Sequence, residues 1–381
     1  MADVQGVSEV GGYNYSNPQR RERFMIGRRN LKVIAVFLTV TALVCLLCYH
    51  YQSPIQPLPR LFGFSAFGSL PIPAKQDSND TLTFESKDNK IDLEEVLREA
   101  ATENKTVIIT FLNKAWAVPN STFDLFLESF HVGQGTKRLL RHVVVMCLDK
   151  EAYSRCMEVH PRRCYFLKTP GVDFSGQKNY MTRDYLKMMW RRIELLGSVL
   201  KLGYSFISTD MDVMWLRDPF PRFFSEGDFQ VSCDSYNGNS ADKRNFVNTG
   251  FKYVQANNRT LEFYKYWYGS RWRFRGKKDQ DVFNKIKYSR YITEKIRLKI
   301  KFLDTVYFRG FCQLRREMNK VCTMHANCCV GLQNKIFDLR QVLQDWKGYL
   351  SAAATDDGRK MKWRPPDHCW GRVKKSNKTR V

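Results

Sequence analysis

The chain has 381 residues, 43% hydrophobic and 14% aromatic, enough for one large domain with appendages. Its formal charge of +24 favours an anionic partner: a nucleotide diphosphate, an acidic polysaccharide, nucleic acid or a membrane surface. No zinc-finger, RNA-recognition or helix-turn-helix pattern is present, which sets nucleic acid aside. Six histidines without a close pair do not suit the two-metal centre of a phosphoesterase.

Residues 1–30 are polar and aperiodic and read as a cytosolic tail. Residues 31–50 contain VIAVFLTVTALVCLLCY, an uncharged run at the short end for a bilayer span. Arg20, Arg21, Arg23, Arg28, Arg29 and Lys32 precede it, and residues 50–59 hold no Lys or Arg. The positive-inside rule then places the bulk of the chain in a lumen, as a single-pass type II membrane protein. A cleaved signal peptide is the competing reading; the long lead and the lack of a small-x-small site favour an uncleaved signal anchor. Residues 51–90, with five prolines, read as a stem.

An α/β rhythm runs over residues 91–350. Residues 91–104 have helical spacing through Leu93, Val96, Leu97 and Ala100. Residues 106–112, TVIITFL, form a buried strand, 120–140 a helix, and 142–148 a second strand closed by Asp149. A helix over 185–202 presents Met188, Met189, Ile193, Leu195, Leu196, Val199 and Leu200. Later strands are expected at 228–233, 247–254, 300–303 and 321–324, and helices at 261–268, 281–286 and 335–350. Residues 351–381 form a basic tail without pattern. Strands alternating with helices predict a mostly parallel sheet flanked by helices. Nine of the eleven cysteines lie beyond the apolar run. Cys156 with Cys164 and Cys312 with Cys322 are the candidate pairs, the adjacent Cys328 and Cys329 do not suit a bond to each other, and an odd count leaves a thiol over.

The chemistry centres on residues 204–220, YSFISTDMDVMWLRDPF. A short aromatic and β-branched strand leads straight into Asp210 and Asp212. Two carboxylates at the carboxyl end of a buried strand face the crevice where open α/β sheets bind ligands. They suit a hard divalent ion, Mn²⁺ or Mg²⁺, with room left for diphosphate oxygens. The bland alternative is a solvated acidic turn, which the apolar flanks on both sides disfavour.

This segment resembles the D-x-D of Golgi glycosyltransferases with the GT-A fold, a Rossmann-like α/β domain. More narrowly, it is similar to plant nucleotide-diphospho-sugar transferases of glycosyltransferase family 77. The resemblance covers residues 91–350 and implies a Golgi membrane enzyme that moves a sugar from a nucleotide donor. That sugar is expected to be a pentose such as xylose or arabinose on UDP. The acceptor is expected to be a cell-wall polysaccharide or glycoprotein, with partner Golgi enzymes in complexes. It also implies roles. Asp210 and Asp212 hold the metal with His325, and Asp210 lies near the ribose. Lys335 contacts the diphosphate. In Asp279-Gln280-Asp281, Asp279 binds donor hydroxyls and Gln280 lies beneath the anomeric carbon, which suits retention through an oxocarbenium-like state. Asn248-Thr249-Gly250 resembles the N-x-G segment touching the donor sugar, with threonine where relatives carry glycine. Asn113 and Trp116 lie near the nucleobase. Arg191 and Arg192 are candidate phosphate cations. A catalytically silent, lumenal carbohydrate-binding or scaffold protein of the same fold is the alternative.

Overall fold

The structure is a computed structural model that describes residues 41, 87–315, 317–352 and 361–371. The chain divides into Met1–Asp77 and Ser78–Val381, and every element below belongs to the second unit. Apart from Thr41, the expected cytosolic tail, membrane anchor and most of the stem lie outside the described residues. Among the described residues, no helix is long and apolar enough to cross a membrane.

The order begins α1 (Lys87–Ala100), β1 (Thr106–Leu112), α2 (Lys114–Ala117), α3 (Thr122–Val132), β2 (Val143–Cys147), α4 (Lys150–Val159) and β3 (Cys164–Phe166). It continues α5 (Arg183–Lys201), β4 (Ser205–Thr209), β5 (Val213–Trp215), β6 (Phe229–Ser235), β7 (Phe246–Val254), α6 (Asn258–Arg273) and α7 (Asp279–Ile286). It closes with β8 (Ile300–Phe302), β9 (Phe308–Gly310), β10 (Thr323–His325) and α8 (Leu332–Ala352). The main sheet runs β3-β2-β1-β4-β7-β6-β8, and a small sheet runs β5-β10-β9. In the main sheet β7 pairs antiparallel with β4 and β6, and all other neighbours are parallel. The expectation of a mostly parallel α/β sheet is met.

Both faces of the main sheet are covered, which explains why β1 and β2 are buried at every position rather than at alternate ones. Val107, Ile109 and Phe111 pack with α1, α5, α6 and α7. Ile108 and Leu112 point the other way, into a second core with α3, α4, α8 and the small sheet. The chain moves from β1 outward to β2 and β3, then returns to place β4 on the opposite flank of β1. That reversal opens a crevice beyond the carboxyl ends of β1 and β4, where Asn113 and Asp210 follow. Gly203, at φ +82°, ends α5 and turns the chain into β4 with no Cβ penalty.

Several expectations need correction. The helix expected over 120–140 stops at Val132, where the Gly133 amide returns to Ser129 O (2.9 Å) and Gly135 takes φ +73°. A short 3₁₀ turn, Lys137–His142, follows. Helix α4 and strand β3 were not among the expected elements; Asp149, read as the end of a strand, is the cap whose carboxylate accepts from Ala152 N (2.8 Å). Cys312 bonds Cys328 rather than Cys322, which stays a buried thiol, while Cys156–Cys164 forms as expected. The C-terminal segment, expected as a tail, is partly fixed, because residues 361–371 dock on α8. His368 Nδ1 lies 3.0 Å from Asp338, Cys369 N donates to the same carboxylate (2.8 Å), and Arg364 Nε reaches Asp345 (2.5 Å). A Cys329–Cys369 disulfide seals the segment.

Lys252 on β7 is 2% exposed, and its ammonium donates to Ser208 Oγ on β4 (3.2 Å) and to Thr249 O (3.0 Å). Burial pushes it down from 10.5 to about 8, with Arg192 adding to the effect and Asp279 and Asp210 opposing it. Between those values the unfolded chain holds a proton that the folded chain has released. The stability linked to Lys252 therefore rises with pH across that window.

Two expectations follow from this packing. The Cys329–Cys369 bond spans 40 residues, so Cys369→Ser should lower unfolding free energy by up to about 4 kcal/mol by the loop-entropy relation, read as a shifted denaturant midpoint. Comparing the native chain with Lys252→Met by chemical denaturation, the difference should move in favour of the native chain as pH passes above about 8. A difference that is flat with pH would mean the ammonium is solvated in the fold.

Candidate active site

The site is built where β4 and β10 end and the antiparallel β7 begins. The β4–β7 register places Thr209 against Phe251, and the Asp210 amide donates to Gly250 O at 2.6 Å. In the small sheet His325 pairs with Val213, and the Ala326 amide donates to Asp212 O at 3.0 Å. Backbone pairing alone thus puts Asp210, Asp212 and His325 side by side. One ligand atom from each lies within 4.8 Å of the other two.

Asp212 is buried at 2% exposure, a costly place for a bare carboxylate. His325 Nε2 lies 3.3 Å from its Oδ1, and the Lys335 ammonium contacts its Oδ2. Burial pushes the Asp212 carboxyl up, but Lys335 and then His325 outweigh this and hold it well below the usual carboxylate range. Lys335 also donates to Ala326 O (3.0 Å), and its ammonium lies 5.8 Å from the Trp116 ring centre. Trp116 and Lys335 are far apart in sequence and meet at this edge.

Arg192 donates to Asp210 Oδ1 and lies 4.7 Å from the Phe111 ring centre. Arg191 goes elsewhere. Its guanidinium meets Glu194 (2.8 Å) and Lys168 O (3.3 Å), and Glu194 also accepts from Tyr268 (3.0 Å). Neighbouring residues on a helix point about 100° apart, so only one of the pair faces Asp210.

Gly250 lets these groups converge. A β-carbon there would fall 2.5 Å from His325 Cε1 and 2.7 Å from an Asp210 carboxylate oxygen. Beside it, Asn248 Oδ1 accepts from the Gly250 amide at 2.8 Å. Thr249 donates its amide to Gln280 Oε1 (3.3 Å) and its hydroxyl to Asp279 Oδ2 (3.0 Å). The threonine that departs from the family pattern is therefore a clamp between β7 and the first turn of α7. Asp281 takes part in none of these bonds.

Asn113 is buried after β1 and donates from Nδ2 to Phe174 O (2.9 Å) and Gly176 O (3.2 Å). Two carbonyl partners fix the amide orientation. Its Oδ1, also buried, has no hydrogen-bond partner among the described residues.

Sequence reasoning missed Asp234, at the end of β6. Its Oδ1 accepts from Asn248 Nδ2 and Asn327 Nδ2, each at 2.8 Å, and its Oδ2 accepts from Gln280 Nε2 at 3.1 Å. It gathers three amides from three separate chain segments. The surrounding residues 233–239, CDSYNGN, read locally as a polar turn, so no signal marked this carboxylate. Lys252 was missed because one lysine inside a strand-like run looks like a surface position. Asp234 also lies near Cys312 and Cys328, but those sulfurs are joined in a disulfide and offer no thiolate.

The pattern described as nucleotide-diphospho-sugar transferase matches residues 138–339. An Arabidopsis thaliana protein described as uncharacterized is 59% identical over 316 residues, 83% of this chain and 82% of that one. The Arabidopsis thaliana UDP-D-xylose:L-fucose alpha-1,3-D-xylosyltransferase is 23% identical over 207 residues, 54% of this chain and 51% of that one. Mouse xyloside xylosyltransferase 1, a solved structure, is 11% identical over 58% of this chain and 98% of its own, at a TM-score of 0.36, too low to carry weight. With the family pattern spanning the D-x-D, N-x-G and D-Q-D segments and His325 and Lys335, the chain belongs to the nucleotide-diphospho-sugar transferase family and is a nucleotide-sugar-dependent glycosyltransferase.

Proposed function

We propose that the chain is a metal-dependent, retaining GT-A glycosyltransferase that moves a pentose from a UDP-sugar to a polysaccharide or glycoprotein in the Golgi lumen. The observation that carries this reading is the convergence of Asp210, Asp212 and His325 within 4.8 Å beside two fixed cations, Lys335 and Arg192. Two carboxylates and an imidazole fit Mn²⁺ or Mg²⁺, and the buried Asp212 gains a compensating charge from such an ion. When bound, the ion supplies Lewis acidity for the departing diphosphate.

The remaining work falls to this chain's own groups. Lys335, over the Trp116 ring, and Arg192 offer fixed positive charge where a diphosphate leaves. The unpartnered Asn113 Oδ1 accepts an N–H, and a uracil ring carries one. Asp279 and Asn248 present polar atoms to sugar hydroxyls. The Gln280 amide is tied at both ends, by Thr249 N and by Asp234, so its orientation is set before the donor arrives. An amide is a weak nucleophile. Asp234 is loaded with three amide donors, which makes it a holder rather than a nucleophile. Both features favour transfer on the face that the leaving group vacates.

The choice of UDP-xylose or a related pentose donor rests on the printed activity of the xylosyltransferase relative. Lumenal placement draws support from three disulfides, which persist in oxidising compartments. It also rests on the uncharged run at 33–49, which serves as a signal anchor.

The test is titration of the full chain with UDP, with and without Mn²⁺, followed by UDP release from a panel of UDP-sugars. Asp212→Asn keeps the shape and removes the charge, and it should weaken Mn²⁺-dependent UDP binding by roughly 100-fold or more. Metal-dependent binding that survives this change would remove Asp212 from the site. Gln280→Ala should slow sugar transfer by roughly 100-fold while leaving UDP affinity unchanged. An equal fall in both would make Gln280 structural.

A further inference from the structure

The D-Q-D turn is entered through a cationic run that the donor reading does not use. Arg271, Arg273, Arg275, Lys277 and Lys278 fall within eight residues that contain no acid. Arg273, Arg275 and Lys277 are exposed. Among the described residues, none of Arg273, Arg275, Lys277 and Lys278 has a carboxylate within ion-pair distance. This is a block of charge that the fold leaves unneutralised, whereas most cations nearer the site are paired.

Aromatic rings lie beside it. Tyr180, 61% exposed, stands in the loop before α5, and Trp272 is 55% exposed. The Lys278 ammonium lies 5.0 Å from the Tyr180 ring centre, and Tyr180 lies 5.4 Å from the Tyr185 ring. Trp190 Nε1 donates to Lys277 O at 3.2 Å and fastens the run to α5. The Arg271 guanidinium sits 3.5 Å from the Tyr268 ring centre and 4.6 Å from that of Trp272. Lys278 is followed directly by Asp279, whose carboxylate is clamped to Thr249. Tyr185 connects this lip to the interior: burial, then Asp279 and Asp210, push its hydroxyl up. The lip therefore adjoins the donor site and is not a remote patch.

Resting on the glycosyltransferase reading, we propose that this lip is the acceptor subsite and that it takes a carboxylate-bearing glycan, a chain containing uronic acid residues. The exposed face of Tyr180 covers the C–H face of a pyranose ring. The neighbouring Lys278 and the run from Arg271 to Lys277 meet the carboxylates. A chain lying along this path reaches Gln280 at its inner end, where the transferred sugar must be received. Unneutralised charge around the mouth also concentrates a polyanion before it docks.

The experiment titrates the full chain with an oligogalacturonide, with a neutral oligosaccharide of equal length, and with anionic phospholipid vesicles, at low and high salt. The oligogalacturonide should bind, more weakly as salt rises, and the neutral chain should not. The double substitution Arg273→Gln with Arg275→Gln, and separately Tyr180→Ala, should each weaken oligogalacturonide binding roughly tenfold. Both variants should keep native Mn²⁺-dependent UDP binding, which shows them folded. Equal binding of the neutral chain, or unchanged binding in both variants, overturns the inference. Binding to vesicles without binding to the oligogalacturonide makes the run a membrane-facing patch and overturns it too. If UDP binds but no oligogalacturonide does, the acceptor inference fails while the donor reading stands. If the native chain binds no UDP, the donor reading fails instead.

Discussion

A buried carboxylate must find positive charge, and Asp212 organises this molecule around that need. It lies at the start of a strand that no solvent reaches, where desolvating an ion costs several kcal/mol. The fold answers from the opposite end of the chain. β10 delivers His325, and the first turns of α8 deliver Lys335. Both arrive because β5 pairs with β10 to form the core of the small sheet. Without that pairing the D-x-D would be an acidic loop with no third ligand. The small sheet is thus what turns a common three-residue pattern into a candidate metal centre.

A second constraint acts around Asp234. Asp234 draws Asn248, Gln280 and Asn327 to one point, and these lie on β7, on α7 and after β10. Side-chain networks of this kind hold geometry only when every member is satisfied. Here both ends of the Gln280 amide are engaged, as are both ends of the Asn248 amide. Gly310 adds a steric condition, since a β-carbon there would fall 2.3 Å from Asn327 Oδ1. The Cys312–Cys328 disulfide joins the chain on either side of β10 and holds this corner together covalently.

The same economy separates the two arginines of α5. Arg192 faces Asp210, while Arg191 pairs with Glu194, which accepts from Tyr268 and so fastens α5 to α6. One helix therefore carries a site cation and a packing cation at adjacent positions. Lys252 supplies a further buried charge beneath the site, linking β4 to the Thr249 carbonyl.

What the sequence determined by itself was local. Runs such as TVIITFL at β1 and the apolar face of α5 announce burial through their own composition and period, whatever they pack against. Asp210, Asp212, Gln280 and His325 were legible for the same reason, since each sits in a short segment with a recognisable pattern. Asp234, the separation of Arg191 from Arg192, the Thr249 clamp and the partner of Cys312 were not. Each depends on which strand lies beside which, and on which way a side chain points once the sheet is assembled. The docking of residues 361–371 on α8 belongs with them, because it is built from single long-range bonds to Asp338 and Asp345 and has no period to read. Periodicity records how much of a segment is buried; only the tertiary structure decides against what.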